Sequence, residues 1–247
     1  MKPSPEWYQS WFESPWYMRL YRHRTDEEAQ RAVRLIEQCS GLERGARLLD
    51  LCCGYGRHAL ALAERGYHVS GVDISHYLID RAREVYPHEN VTYSVGDMRG
   101  PYPGAPFDGI VNFFTSFGYF DVHDENAAVF RAVYDALRPG GIFVMDFFNA
   151  RRVRETLLPE SMTILDDVTI IQERRIEEPF VRKSILVSNP CSYELEFEER
   201  VWLYTADELV TMASDAGLMI RRLAGGYEGA PFDETTSDRC ILFCQKP

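Results

Sequence analysis

The chain has 247 residues, 27 Lys plus Arg against 38 Asp plus Glu, and a formal net charge of -11. That length suits one α/β domain with an insertion and a large core. The acidic balance argues against a phosphate-backbone partner, which demands a basic face, so nucleic acid is an unlikely ligand. No uninterrupted apolar run reaches membrane-spanning length and Met1 to Trp11 lacks a signal-peptide core, so a cytoplasmic protein with no membrane partner is expected.

In chain order, Met1 to Arg24 is rich in aromatics (Trp7, Tyr8, Trp11, Phe12, Trp16, Tyr17, Tyr21), and Pro3, Pro5 and Pro15 break it into short pieces. It reads as a helical cap on the domain. The alternative, a membrane-surface segment, is disfavoured because Glu6 and Glu13 spoil any clean apolar face. Thr25-Asp26-Glu27-Glu28 starts a helix that runs to about Ser40, with acids in its first turn. Residues 1–40 are thus expected to form a cap and a first helix.

The stretch Arg47 to Ser75 organises the rest. An apolar run, Leu48-Leu49-Asp50-Leu51, breaks at Gly54-Tyr55-Gly56, continues with helical spacing through Ala59, Leu60, Leu62 and Ala63, and stops at Gly66; a second run from Tyr67 to Val72 ends in Asp73. Strand, glycine turn, helix, strand, acid is a nucleotide-binding βαβ unit. Glycines permit φ > 0 and a close backbone approach, the helix start presents unpaired N–H groups, and an acid at the tip of the second strand can accept from both ribose hydroxyls. Gly54, Gly56 and Ala59 also fit the dinucleotide spacing G-x-G-x-x-A.

Ser75 is the expected N-cap of a helix carrying Leu78, Ile79, Ala82 and Val85, ended by Pro87. Val91 to Val95 is a third strand leading into Gly96-Asp97-Met98-Arg99. Phe107 to Phe114 is a fourth, as apolar as a buried parallel strand requires. A helix with Val129, Val133 and Leu137 on one face is expected to stop at Arg138-Pro139-Gly140-Gly141, before a fifth strand from Ile142 to Phe148. Strands alternating with helices imply a doubly wound, mostly parallel α/β sheet with helices on both faces. From Met162 to Tyr204 the period is nearer two, with Tyr193, Leu195 and Phe197 alternating with Glu194, Glu196 and Glu198. This predicts a small antiparallel β insertion over residues 151–203, between a core of 41–150 and 204–247. A helix from Thr205 to Gly217, a strand at Leu218 to Leu223, an acidic loop and a last strand at Cys240 to Gln245 follow. The six cysteines, Cys39, Cys52, Cys53, Cys191, Cys240 and Cys244, lack paired C-x-x-C spacing and read as reduced thiols, with no metal site.

Four stretches together, LLDLCCGYGRHALALAERGYHVSGVDIS, SVGDMR, FDGIVNFFTSFGYF and LRPGGIFVMDFFN, are similar to the class I S-adenosylmethionine (SAM)-dependent methyltransferases, in particular bacterial small-molecule enzymes with a β insertion. Asp50 to Gly56 resembles their motif D-x-G-x-G-x-G, with Cys52 in place of the first glycine. The resemblance implies a seven-stranded sheet with an antiparallel last strand. It implies SAM as cofactor, S-adenosylhomocysteine as product and a small-molecule methyl acceptor, with N or O favoured over C as nucleophile. Asp50, Cys52, Gly54 and Gly56 then match the turn beneath the methionine part, Asp73 the ribose acid, Ile74 the adenine packing residue, Asp97 and Met98 the adenine-edge pair, and Phe113 and Phe114 the strand end below the sulfonium. Tyr17, Tyr21, Arg24 and Arg57 become candidates for the carboxylate end, since Arg suits a carboxylate.

Methyl transfer from a sulfonium needs alignment and water exclusion, and a base only if the nucleophile arrives protonated. The acceptor site is expected under Thr115 to His123, the insertion and the loop from Gly225 to Arg239, with Asn112, Arg175, Tyr204, Tyr227 and Arg239 as polar candidates and His123 and Tyr119 as catalytic ones. Asn112-Phe113-Phe114-Thr115 is not an Asn-Pro-Pro-Tyr motif, which argues against adenine-N6 or glutamine-amide methylation. Two alternatives stand beside this reading. An NAD(P)-dependent oxidoreductase would explain Asp73 but not Gly96-Asp97-Met98, and a non-catalytic SAM-binding protein would keep every cofactor motif. The insertion is also a candidate homodimer surface.

Overall fold

A computed structural model describes residues 7–189 and 193–247, so Cys191 lies outside the described residues. Two short helices open the chain, α1 (Trp7–Phe12) and α2 (Pro15–Leu20), followed by α3 (Asp26–Ser40). The core then alternates β1 (Arg47–Leu51), α4 (Arg57–Ala63), β2 (His68–Asp73), α5 (His76–Val85), β3 (Val91–Val95), β4 (Phe107–Asn112), α6 (His123–Ala136) and β5 (Leu137–Phe148). After α7 (Ala150–Thr156) come β6 (Glu160–Leu165), β7 (Val168–Glu177), β8 (Phe180–Asn189) and β9 (Tyr193–Trp202). The chain closes with α8 (Ala206–Asp215), β10 (Met219–Ala224) and β11 (Arg239–Gln245).

The main sheet has seven strands in the order β10-β11-β5-β4-β1-β2-β3. Its strands are parallel except β11, which runs antiparallel to both β5 and β10. Alternation along the buried strands sorts side chains into two layers. Leu48, Val111, Val144, Ile241 and Phe243 pack under α3 and α4, whereas Leu49, Ile110, Phe143, Met145 and Leu242 pack under α6 and α8. The expected helix ends at Ala136, and the Arg138-Pro139-Gly140-Gly141 stretch enters β5 because Gly140 and Gly141 bond to Lys246 beyond β11. Helix α7, capped by the Asn149 side chain on Arg151 N, carries too few apolar residues to register as an amphipathic pattern in the sequence.

The insertion is a four-stranded antiparallel meander, β6-β7-β8-β9. Register places Arg174, Lys183 and Glu199 side by side across β7, β8 and β9. The N-terminal segment is a cap. Trp11 is fully buried against Phe197, and Ser75 both caps α5 at Leu78 N and donates to Phe12 O at 2.8 Å. The Glu13 carboxylate accepts from His76 N and Tyr77 N at the start of α5, where a negative charge is favoured.

At the turn after β1, Gly54 and Gly56 have φ of 56° and 97°, and a Cβ on Gly56 would lie 2.5 Å from the Tyr93 hydroxyl. Cys52, which replaces a motif glycine, has φ of 61° and so carries the conformation of the residue it replaces. Asp50 beneath it is 1% exposed, with one carboxyl oxygen lacking a partner. Burial, then the charge of Asp73, pushes its pKa up to about 8.

Two predictions follow from this turn. Left-handed geometry costs a non-glycine residue roughly 1–2 kcal/mol, and glycine gives back about half of that in chain entropy. Cys52→Gly should therefore leave the melting temperature unchanged or raise it by roughly 2–4 °C; a clear drop would mean that thiol packing outweighs the strain. Because the folded pKa of Asp50 lies above its unfolded value, its contribution to stability is complete below about pH 4 and is lost as pH rises towards 8. The stability gap between Asp50→Asn and the parent should thus shift in favour of the variant from pH 5 to pH 8; parallel curves would show that Asp50 is already ionised.

Candidate active site

Strand order reverses between β1 and β4, which puts a crevice at the carboxyl ends of the parallel strands. A cavity of about 270 Å³ opens there. Its floor is the ends of β1 and β2, the segment after β3 and the turn after β4; its roof is the cap and the inner face of the insertion.

On the floor, Asp73 is buried and accepts from Gly54 N and Ser75 N, both at 2.9 Å. Burial raises its pKa and these two N–H groups offset part of the rise. Ile74 and Met98 supply apolar wall, and Cys52 lines the same side with a thiol whose pKa burial raises well above the ordinary value. Asp97 is gripped by Arg99, whose Nη2 lies 2.6 Å from one oxygen while its backbone N and Nε meet the other. Burial opposes ionisation of Asp97, but the Arg99 contacts outweigh it and the pKa falls.

After β4 the chain turns through Phe114 and Thr115, with φ of 58° and 61°. Two successive bulky residues in that region must be held by their surroundings. Asp146, fully buried on β5, does this. Its carboxylate accepts from Phe114 N at 3.0 Å, the Tyr227 hydroxyl at 2.6 Å and Arg239 Nε at 2.7 Å, and its carbonyl accepts from Thr115 N. Asn112 ties the same turn to β1 by donating to Leu51 O and Ser116 O. The Arg24 guanidinium sits over the rings of Tyr21 at 4.4 Å and Phe114 at 4.6 Å.

The roof is joined by one carboxylate. Glu199 accepts from Trp11 Nε1 at 2.7 Å, the Tyr21 hydroxyl at 2.6 Å and Lys183 Nζ at 2.6 Å. Burial opposes its ionisation, yet Lys183 and the other donors prevail and its pKa is lowered. Lys183 also donates to the Tyr21 hydroxyl; burial lowers the ammonium pKa, with Glu199 working against that.

The cavity gathers Tyr21, Arg24, Cys52, Gly54, Asp73, Ile74, Asp97, Met98, Phe114 and Tyr119. It leaves out nine expected site residues: Asp50, Gly56, Phe113 and His123, and with them Asn112, Arg175, Tyr204, Tyr227 and Arg57, which donates to Thr25 O. Asp50 and Gly56 lie behind the turn, Phe113 stacks on His58 on the far side of the sheet, and His123 sits exposed at the first turn of α6, 3.2 Å from the Tyr204 hydroxyl. His123 is drawn outward because it begins a helix at the rim and packs its ring on Trp202 and Tyr204. Arg175 points away and pairs with Glu177, and Tyr227 reaches Asp146 instead of the cavity. The row Arg174, Lys183, Glu199 was not among the expected residues, since it exists only through cross-strand register. Asp146 had a visible signal, a lone charge inside the apolar run Phe143 to Phe148. Among the described residues there is no cluster of metal-ligating side chains, and no helix is long and apolar enough to cross a membrane.

The family description "Methyltransferase domain" matches residues 48–141, from β1 to the start of β5. YqeM of Bacillus subtilis (strain 168) is 30% identical over 125 residues, a match spanning about half of each chain, 49% of this one and 50% of that one. The ubiquinone/menaquinone biosynthesis C-methyltransferase UbiE of Pectobacterium carotovorum subsp. carotovorum (strain PC1) is 32% identical over 193 residues, covering 74% of this chain and 70% of its own. Among solved structures, the CcbJ methyltransferase from Streptomyces caelestis shares the fold, with a TM-score of 0.80 at 20% identity over 96% of this chain and 98% of that one. Turn, strand-tip acid, seven-stranded sheet and sequence likeness agree: the chain belongs to the Rossmann-like, class I SAM-dependent methyltransferases.

Proposed function

We propose that this methyltransferase moves the methyl group of SAM to a nitrogen or oxygen of a small molecule held under the insertion. One observation carries the reading: a single cavity runs from Asp73 and Asp97 at the strand ends to the inner face of β8 and β9. The residues fit the cofactor. The Asp73 carboxylate, oriented by Gly54 N and Ser75 N, is placed to accept from the ribose hydroxyls, and Ile74 packs on the adenine. Asp97 accepts from the adenine amino group beside Met98. Arg24 and Tyr21 face the carboxylate end, and Phe114 offers an aromatic face to a sulfonium cation. Bound there, SAM supplies an already activated methyl electrophile.

The chain then has to align the acceptor and keep water out, which are large contributions when the reactants are fixed in register. The aromatic cap and the apolar Val181 and Val201 exclude water, while Thr115, Ser116 and Tyr119 supply polar positions beside the turn after β4. Burial raises the Tyr119 phenol well above its ordinary pKa, so near neutral pH it is a hydrogen-bonding group and not a base. His123 lies off the cavity. We therefore assign no protein base: an amine acceptor that enters neutral needs none.

Calorimetric titration with SAM, S-adenosylhomocysteine, NADH and NADPH is the first test. The first two should bind at micromolar levels and the nicotinamide cofactors should not; the reverse pattern would reassign Asp73 to a dehydrogenase. Asp73→Asn should weaken both adenosyl ligands by roughly 10- to 150-fold, the worth of a charge-assisted hydrogen bond. Unchanged affinity in a folded variant would remove the ribose assignment.

A further inference from the structure

The acceptor end of the cavity carries more positive charge than its carboxylates balance. Arg182 pairs with Glu177 and Glu198, Lys183 with Glu199, and Arg239 with Asp146. Arg174, which lines the same cavity from β7, has no carboxylate within salt-bridge distance among the described residues. Its guanidinium is nevertheless held in place. Nη1 donates to Ser161 Oγ at 3.0 Å and Nη2 to Gln172 Oε1 at 2.9 Å, with Gln172 itself buried. Both partners are neutral, so they fix its direction without cancelling its charge.

The register sharpens the point. Arg174 stands directly across from Lys183, a like-charge pair that costs stability in a sheet. Lys183 uses the one carboxylate of the row, Glu199, on its other side. Arg24 approaches the same group closely enough that it and Arg174 both disfavour the charged form of Lys183. Three cations thus meet one carboxylate on a cavity wall of a protein whose net charge is -11. In the reading above, the carboxylate of SAM answers Arg24, and Arg174 is left over.

We propose that Arg174, oriented by Ser161 and Gln172, is a specificity residue that receives an anionic group, a phosphate or a carboxylate, on the methyl acceptor. This rests on the insertion being the roof of the acceptor site. A guanidinium fork matches both anions by paired N–H donors. An acceptor so held would be gripped at its charged end while its nucleophilic atom lies towards the turn after β4.

The test uses full-length protein saturated with S-adenosylhomocysteine, titrated with inorganic pyrophosphate and with succinate at constant ionic strength set by sodium chloride. At least one of the two anions should bind the parent, and which one binds tells phosphate from carboxylate. Arg174→Gln should weaken that anion roughly tenfold or more and leave the affinity for S-adenosylhomocysteine within about twofold. Arg174→Lys should retain part of the binding. Arg175→Gln, an equal charge change at the neighbouring exposed Glu177-paired position, should bind like the parent. If Arg174→Gln does not fold, Ser161→Ala replaces it, with a several-fold loss expected. Binding of neither anion by the parent, equal binding by the parent and Arg174→Gln, or a loss of S-adenosylhomocysteine affinity matching the loss of anion would each overturn the proposal, the last by giving Arg174 to the cofactor. Failure of the parent to bind S-adenosylhomocysteine at all would instead strike the reading of the cavity itself.

Discussion

The Glu199 carboxylate is the interaction on which the enclosed site depends. It sits on the inner face of the insertion and accepts from Lys183 on the neighbouring strand and from Trp11 and Tyr21 in the cap, the latter 178 residues away in the chain. A buried carboxylate is tolerated only when its lone pairs are filled, and removing a partner leaves an uncompensated charge. Cap and insertion therefore hold each other over the carboxyl ends of the strands, and neither would cover the cavity as firmly alone. Aromatic contacts extend the same seam, with Trp7 against Tyr119 and Trp11 against Phe197.

Below that seam, the floor is shaped by backbone held in unusual conformations. Cys52 after β1 and Phe114 and Thr115 after β4 all have positive φ without being glycine. Around the β4 turn, Asp146, Arg239, Tyr227 and Asn112 supply the hydrogen bonds that fix it. Such a turn brings Thr115 and Ser116 to the cavity edge and sends Phe113 to the opposite layer. Strain gathered where the parallel strands end is the general pattern for a site that must present backbone and side chains at fixed positions.

The distribution of charge separates the two ends of the cavity. At the strand-end floor the acids dominate: Asp73 and Asp97 are each oriented by their own hydrogen bonds and line the cavity. On the wall formed by the insertion the cations outnumber the acids, and the chain's overall acidity makes that local excess stand out. Electrostatics of this kind selects partners by sign over a few ångströms, where bulk charge has little say.

The main sheet and the strand-end residues proposed to hold the cofactor were legible in the sequence, because both are written in local patterns. Apolar runs mark the strands, the glycine spacing comes just after β1, Asp73 ends β2 and Asp97 lies two residues past β3, so their place at a strand end follows from chain order alone. The antiparallel insertion was legible from its period of two, and the cap from its proline-broken aromatics. The cavity wall formed by the insertion became visible only in the tertiary structure. Whether Arg174, Lys183 and Glu199 share a row depends on pairing register, and a one-residue slip would send each to the other face. Whether His123 faces the cavity depends on where the rim of α6 lies against Trp202 and Tyr204, contacts between segments about 80 residues apart. Those relations are long-range, and residue type and spacing along the chain do not encode them.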